Sequence, residues 1–302
     1  MQDFPNWLKQ LLTIPAVTDI LVAGSFCQID RGHGLERVHP ELPTPDELSA
    51  QLRQLAFNHG ARIDIASPML DLAIGRIRLH LVLPHGVSDV PILSLRIHPE
   101  QSPRLSDLVQ SGMLTEQQAG WLRRMVAQRS TMVISGPTGS GKTTLLRALL
   151  AETDERLVVI EQNQELFLPP PAISLRARDA NQDGVGGIGL GDLVHQALRM
   201  RPDRIVVGEV RRDEFAAFVQ SVSNGHPGSM TTLHATGLDQ VTNRLITLGL
   251  ISGFTRELTE ELVLDSIDLV VQLERSGNRR RIAGVGKPSL ASGKLELEAV
   301  RP

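Results

Sequence analysis

Thr131-Met-Val-Ile-Ser-Gly-Pro-Thr-Gly-Ser-Gly-Lys-Thr-Thr144 decides the fold. Thr131 to Ser135 is a short buried-type strand, and an apolar helical pattern begins at Lys142. Between them, Gly136 to Thr143 matches G-x-x-x-x-G-K-[ST] at every fixed position. Strand, glycine-rich turn and helix in this order are what a nucleotide-binding α/β domain requires. The glycines let backbone N–H groups turn inward onto phosphate oxygens, and the helix presents its positive end to the same anion. Lys142 adds a point charge for the β- and γ-phosphates, and the Thr143 hydroxyl suits the oxygen shell of Mg²⁺. The expected nucleotide-binding set is Gly136, Pro137, Thr138, Gly139, Ser140, Gly141, Lys142, Thr143 and Thr144. A ligand-free glycine turn is the competing explanation, and it does not account for so many agreeing positions.

Phosphoryl transfer to water needs a group that orients the water and positive charge that follows the moving phosphate. Three strand ends offer such groups. Asp203-Arg-Ile-Val-Val-Gly-Glu209 is an apolar strand ending in a carboxylate, with Gly208 where a Walker B aspartate is usual. Leu157-Val-Val-Ile-Glu161 ends in a second acid, and Gly228-Ser-Met-Thr-Thr-Leu-His234 ends in a histidine. Strands of one parallel sheet bring their C-terminal ends to one edge, so these groups can meet the phosphate loop. Glu209, Glu161, His234 and Lys142 are therefore the candidate catalytic residues, with Thr143, Glu161 and Glu209 as candidate metal ligands and His234 as a γ-phosphate sensor. The ordinary alternatives are solvated acids at strand ends and a packed histidine. Arg176, Arg178, Arg199, Arg201, Arg211 and Arg212 cluster around the acid strands and are candidates for charge compensation, some of them in trans.

Upstream the pattern differs. Val17 to Val22, Leu35 to Val38, Leu70 to Ile74, Ile77 to Leu83 and Ile92 to Ile97 are short β-prone runs, and Pro43-Thr44-Pro45 opens a helix that Gly60 closes. Residues 1–102 are read as a small α+β domain, and 103–302 as the nucleotide-binding domain. The polar, proline-containing stretch around 97–105 is the linker, with Arg96 at the junction. A single helix is expected from Leu108 to Arg129. Leu157 to Ile160, Ile205 to Val207, Met230 to Leu233 and Leu269 to Leu273 supply further strands of a mostly parallel sheet. The Gly277 to Arg281 tract reads as a basic, solvated hairpin turn.

The chain has 302 residues, 41% of them hydrophobic, and a formal charge of −3. That length supports two domains, while near-neutral charge and 3% aromatics supply no track for nucleic acid. The one cysteine, Cys27, excludes an internal disulfide and reads as a small buried apolar residue. No run is apolar enough to span a bilayer and the N-terminus lacks a signal-peptide pattern, which predicts a cytoplasmic protein reaching a membrane only through partners.

Taken in order, the motifs resemble those of the type II/type IV secretion and type IV pilus ATPases. Gly136 to Thr143 resembles the family's Walker A, Ile160 to Leu166 its acidic box, Ala197 to Arg211 its Walker B region and Gly225 to Ala235 its histidine box. The wording ALRMRPD and GHPGSMTTLHA is most similar to the Tad (Flp) pilus ATPases. The resemblance implies ATP and Mg²⁺ as ligands, a RecA-like motor domain behind a moving N-terminal domain, a homo-hexamer, and inner-membrane platform proteins as partners. It also implies that Arg96 swings onto the nucleotide and that Arg178 lines it. Gln162, where a second acid is common, and Arg212, where glycine is usual, depart from the pattern. They motivate an alternative, an ATP-binding ring subunit that hydrolyses little. The chain lacks an LSGGQ-like signature for an ABC transporter, and a small-molecule kinase needs neither the leading domain nor the histidine-ended strand.

Overall fold

The computed structural model describes residues 4–32, 34–99, 102–178, 180, 185–277, 279–291 and 293–302. His33, Glu100, Gln101, residues 181–184 and Asn278 of the basic turn lie outside the described residues. The chain forms two compact units, Met1–Gln101 and Ser102–Pro302.

The first unit contains α1 (Asn6–Leu12), β1 (Asp19–Ala23), β2 (Phe26–Asp30), β3 (Leu35–Val38), α2 (Pro45–Asn58), β4 (Met69–Ile74), β5 (Ile77–Val82) and β6 (Ile92–Ile97). Its six strands form an antiparallel sheet in the order β3-β2-β1-β6-β5-β4. Thr44 and Glu47 form a reciprocal capping box, and Pro45 occupies the first helical turn, so α2 starts where the proline-bounded entry predicts. Leu48, Leu52, Leu55 and Ala56 of α2 share a core with Ile20, Val22, Leu79, Leu81, Leu93 and Leu95. Those strand residues alternate with less buried ones, the period-two signature of a sheet covered on one face. Cys27 lies in this core, where burial pushes its thiol up to about 11 and leaves it a packing group.

The second unit contains α3 (Leu105–Gln110), α4 (Glu116–Ala127), β7 (Met132–Ser135), α5 (Lys142–Leu150), β8 (Leu157–Glu161), β9 (Ile173–Arg176), α6 (Leu190–Ala197), β10 (Arg204–Val207), α7 (Glu214–Ser223), β11 (Met230–Leu233), α8 (Leu238–Ile251), α9 (Arg256–Ser266), β12 (Leu269–Ser276), β13 (Arg279–Ala291) and β14 (Lys294–Ala299). The eight-stranded sheet runs β14-β13-β12-β7-β11-β10-β8-β9. Pairing is parallel from β12 through β9 and antiparallel in β12-β13-β14. Helices cover both faces, which is why β7, β8, β10 and β11 are buried throughout rather than alternating. Met132 and Ile134 pack with α3, α4 and α5, while Val133 packs with α6 to α9.

Two expectations need correction. The helix read from Leu108 to Arg129 is two helices, because Ser111-Gly112 ends α3 and Thr115, boxed with Gln118, starts a new one. Strands β9, β13 and β14 escaped the sequence reading. They lie at or near the sheet margins, where half the side chains face solvent and charged residues interrupt the apolar pattern.

The start of β10 is tied by a charge network built around one buried arginine. Arg204, 2% exposed, donates from Nε to Glu155 and from Nη2 to the Val126 carbonyl at 2.8 Å. Glu155 also accepts from Arg129 Nη1 at 2.7 Å. Removing one member of a buried network leaves uncompensated polar groups, at a cost of about 3–5 kcal/mol. We expect Arg204→Ala to lower the urea-unfolding free energy of the second unit by that amount, read at Trp121 in a Trp7→Phe background. Arg123→Ala, which breaks an exposed pair with Glu152, leaves it nearly unchanged.

Candidate active site

The phosphate loop leaves the end of β7 and enters α5 at Lys142, whose N-cap is Gly141. Parallel pairing places the ends of β11, β10 and β8 successively beside it. Gly136 N–H donates to the Leu233 carbonyl, and Gly208 N–H to that of Ile160, so the loop and the two acid-bearing strand ends are stitched edge to edge. Beneath the loop, buried Ser135 donates to Gln272 Oε1 at 2.6 Å, and Gln272 Nε2 donates to the Ala235 carbonyl.

Lys142 is nearly buried and folds over its own loop, donating to the carbonyls of Gly136 (2.9 Å) and Pro137 (3.0 Å). Burial lowers its pKa, and the Glu209 carboxylate opposes that shift. A phosphate entering the loop would offer the ammonium stronger, charged acceptors than these carbonyls.

Glu209 stands just beyond β10. Its Oε2 pairs with Arg211 Nη2 at 2.7 Å, and its Oε1 lies 3.1 Å from His234 Nε2. That second approach lacks hydrogen-bond geometry, and Oε1 is buried without a hydrogen-bond partner among the described residues. A buried acceptor with no partner is costly, so this oxygen is poised to take a hydrogen bond from a small donor such as water. His234 is held below its usual pKa first by burial, then by the Lys142 charge, with Arg211 and Arg244 adding to it and Glu209 opposing. It is therefore neutral at pH 7 and can donate through one ring nitrogen without competing as a cation. Arg244 on α8 was not among the sequence candidates, since a lone arginine inside a helix carries no motif.

Glu161 and Gly208 explain one another. Glu161 is 5% exposed, and a Cβ placed on Gly208 would meet Glu161 Cγ at 2.9 Å. The acid on β8 thus fills the space that a side chain at position 208 would need. Its Oε1 accepts the N–H groups of Glu165 (3.0 Å) and Leu166 (3.2 Å), which binds the following loop to the strand end. That loop places Glu165 Oε2 3.4 Å from Thr143 Oγ1. Sequence reading chose Glu161 and passed over Glu165, whose carboxylate lies within hydrogen-bonding reach of the Thr143 hydroxyl. The signal was present in Glu161-Gln-Asn-Gln-Glu165, whose two acids are brought to one site by a tight turn.

Thr143 and Glu165 offer adjacent hard oxygen donors, and Glu161 and Glu209 stand at neighbouring strand ends. Among the described residues no group of three or more His, Cys, Asp or Glu side chains could hold a metal unaided. Such a set fits an ion that takes most of its ligands from phosphates and water. Arg178 is engaged elsewhere, donating from Nε to the Gly186 carbonyl at 2.8 Å within its own loop. Arg96 lies on β6 of the first unit, where it pairs with Asp19 at 2.7 Å. Arg212 is exposed, and its backbone N–H, like that of Arg211, donates to buried Glu214.

Fold and site together define a RecA-like P-loop ATPase-type unit preceded by a separate α+β unit. The family described as "Type II/IV secretion system protein" matches residues 70–286, and the chain belongs to it. A Mycobacterium tuberculosis protein named for conjugal transfer is 34% identical over 305 aligned residues, spanning 97% of this chain and 87% of that protein. Among solved structures, the VirB11 ATPase of the Brucella suis type IV secretion system, in complex with sulphate, matches with 26% identity. That match has a TM-score of 0.50 and covers 93% of this chain and 95% of that one. The pilus retraction motor PilT with bound ADP shares the fold, with a TM-score of 0.63 and 20% identity over 98% of this chain and 82% of that one.

Burial pushes the Glu161 carboxyl up from 4.5 to about 7. An acid raised on folding binds its proton more tightly when folded, so its contribution to stability is complete at low pH and is lost as pH rises from 4.5 through about 7. In Mg²⁺-free buffer we expect Glu161→Gln to exceed wild type in unfolding free energy by about 3 kcal/mol at pH 8, the difference closing below pH 5. Parallel curves for the two proteins across that range would remove the buried-acid assignment.

Proposed function

We propose that this protein is an ATP-hydrolysing motor working as a homo-hexamer on an inner-membrane platform of a type IV-like secretion or pilus-assembly machine. The observation that carries this reading is the meeting of Lys142, Glu209 and His234 at one edge of the sheet, with a buried Glu209 oxygen left to accept from a water. In this scheme the loop N–H groups and Lys142 bind the ATP phosphates and Glu209 orients the attacking water. Neutral His234 donates to the γ-phosphate, and Arg211 holds Glu209 in place. Thr143, Glu161, Glu165 and Glu209 would hold Mg²⁺ or its waters; that ion neutralises charge on the β- and γ-phosphates. Arg96 of the first unit leaves Asp19 to close onto the nucleotide, and hydrolysis reopens the pair of units. Gly225 to Ala235 and the ALRMRPD run favour a Tad-like pilus machine, while the relatives' names point to conjugal transfer and type IV secretion. Among the described residues no helix is long and apolar enough to cross a membrane.

Phosphate release with Mg·ATP should rise per subunit with protein concentration, in step with ring formation measured by light scattering. Lys142→Ala should abolish ATP binding. Glu209→Gln should retain binding and lose turnover by about 10²-fold or more. Tight binding with no turnover at any concentration would favour the ring subunit that hydrolyses little, the reading suggested by Gln162 and Arg212.

A further inference from the structure

Gly277 and Arg279 to Arg281 are exposed at the β12–β13 hairpin, as the sequence suggested, and its arginines are arranged unevenly. In the β12–β13 hairpin, Arg275 stands directly opposite Arg280, and Glu274 opposite Arg281. Neighbouring positions along a strand face opposite ways, so these two pairs occupy different faces. Glu274 and Arg281 neutralise each other in an ion pair. Arg275 and Arg280 have no carboxylate partner among the described residues; Arg275 donates only to the Gly277 carbonyl. Like charges directly across a ladder weaken it slightly when exposed, as both are here, and a nearby anion would relieve that repulsion.

Their face of the hairpin borders the phosphate loop. A Cβ placed on Gly139 would meet Arg275 Nη1 at 2.8 Å, and one on Gly141 would lie 3.5 Å from Arg280 Cδ. Gly139, at φ +74°, therefore serves two ends: it takes a left-handed conformation and leaves room for a guanidinium against the loop. The sheet order sets the hairpin and the hydrolytic groups on opposite sides of β7. β12 and the arginines lie to one side; β11 with His234 and β10 with Glu209 lie to the other. In-line displacement puts the leaving group opposite the attacking water. Groups across the loop from Glu209 thus face the part of the nucleotide that remains after the γ-phosphate departs.

We propose that Arg275 and Arg280 form a second, cationic wall of the nucleotide site that holds the nucleoside-diphosphate part of ATP and the ADP product. The proposal rests on the phosphate loop being the nucleotide site. Arginine suits this task, since its planar fork binds phosphate oxygens in pairs and stacks on flat rings. Because ADP and ATP share the moiety held here, the wall sets affinity for both and retains product, whereas Glu209 acts on the bond that breaks.

ADP titration calorimetry on the full chain tests this without requiring turnover. Arg275→Ala and Arg280→Ala should each weaken ADP binding about tenfold, equivalent to about 1.4 kcal/mol. In hydrolysis the same variants should raise KM for ATP while leaving kcat unchanged or higher. Arg275→Lys, which keeps the charge but not the fork, should recover part of the loss, and Arg281→Ala, on the other face, should bind ADP as wild type does. Wild-type affinity in both alanine variants, or an equal loss in Arg281→Ala, would overturn the proposal. Failure of the wild type itself to bind ADP would overturn the nucleotide-site reading and this one with it, an outcome distinct from the other two.

Discussion

The structure of the second unit depends on parallel hydrogen bonding among β12, β7, β11, β10 and β8. Parallel strands end on the same side, so residues far apart in sequence arrive at one edge without any contact between their own segments. Gly136, His234, Glu209 and Glu161 each follow or end a different strand, and the ladder sets their order across the site. Helices on both faces bury the strands fully, which removes the alternation that would otherwise mark an exposed sheet face.

Close packing at that edge then selects particular residues. Glycine at 208 is required by the volume of Glu161, whose buried carboxylate accepts two backbone N–H groups that offset only part of its desolvation. The same acceptance curls the 162–166 segment and delivers Glu165 to Thr143. Lys142 resting on its own loop carbonyls and Glu209 with an unpaired oxygen are both incompletely satisfied. A site built to bind a charged ligand has such groups waiting for it.

The strongest periodic and punctuated segments were readable in advance. The phosphate loop, the acid-ended strands, the histidine-ended strand and the capped α2 all carry local signals, because turn chemistry and capping act over a few residues. Weaker were the elements whose identity depends on distant neighbours. β9, β13 and β14 exist as strands because an already formed sheet offers them an edge, and the break between α3 and α4 was masked by apolar residues on either side of a short polar turn.

From sequence alone follow the nucleotide-binding class of the domain, its companion α+β unit and the membership that four ordered motifs announce. Each of these rests on local rules: which backbone angles glycine permits, which side chains cap a helix, which runs bury. Only the tertiary structure decided that Glu161 occupies the space of residue 208, that Glu165 approaches Thr143, and that Arg275 and Arg280 lean on the phosphate loop. Those are facts of volume and distance between strands, and no spacing along one chain encodes which side chain fills a gap left by another.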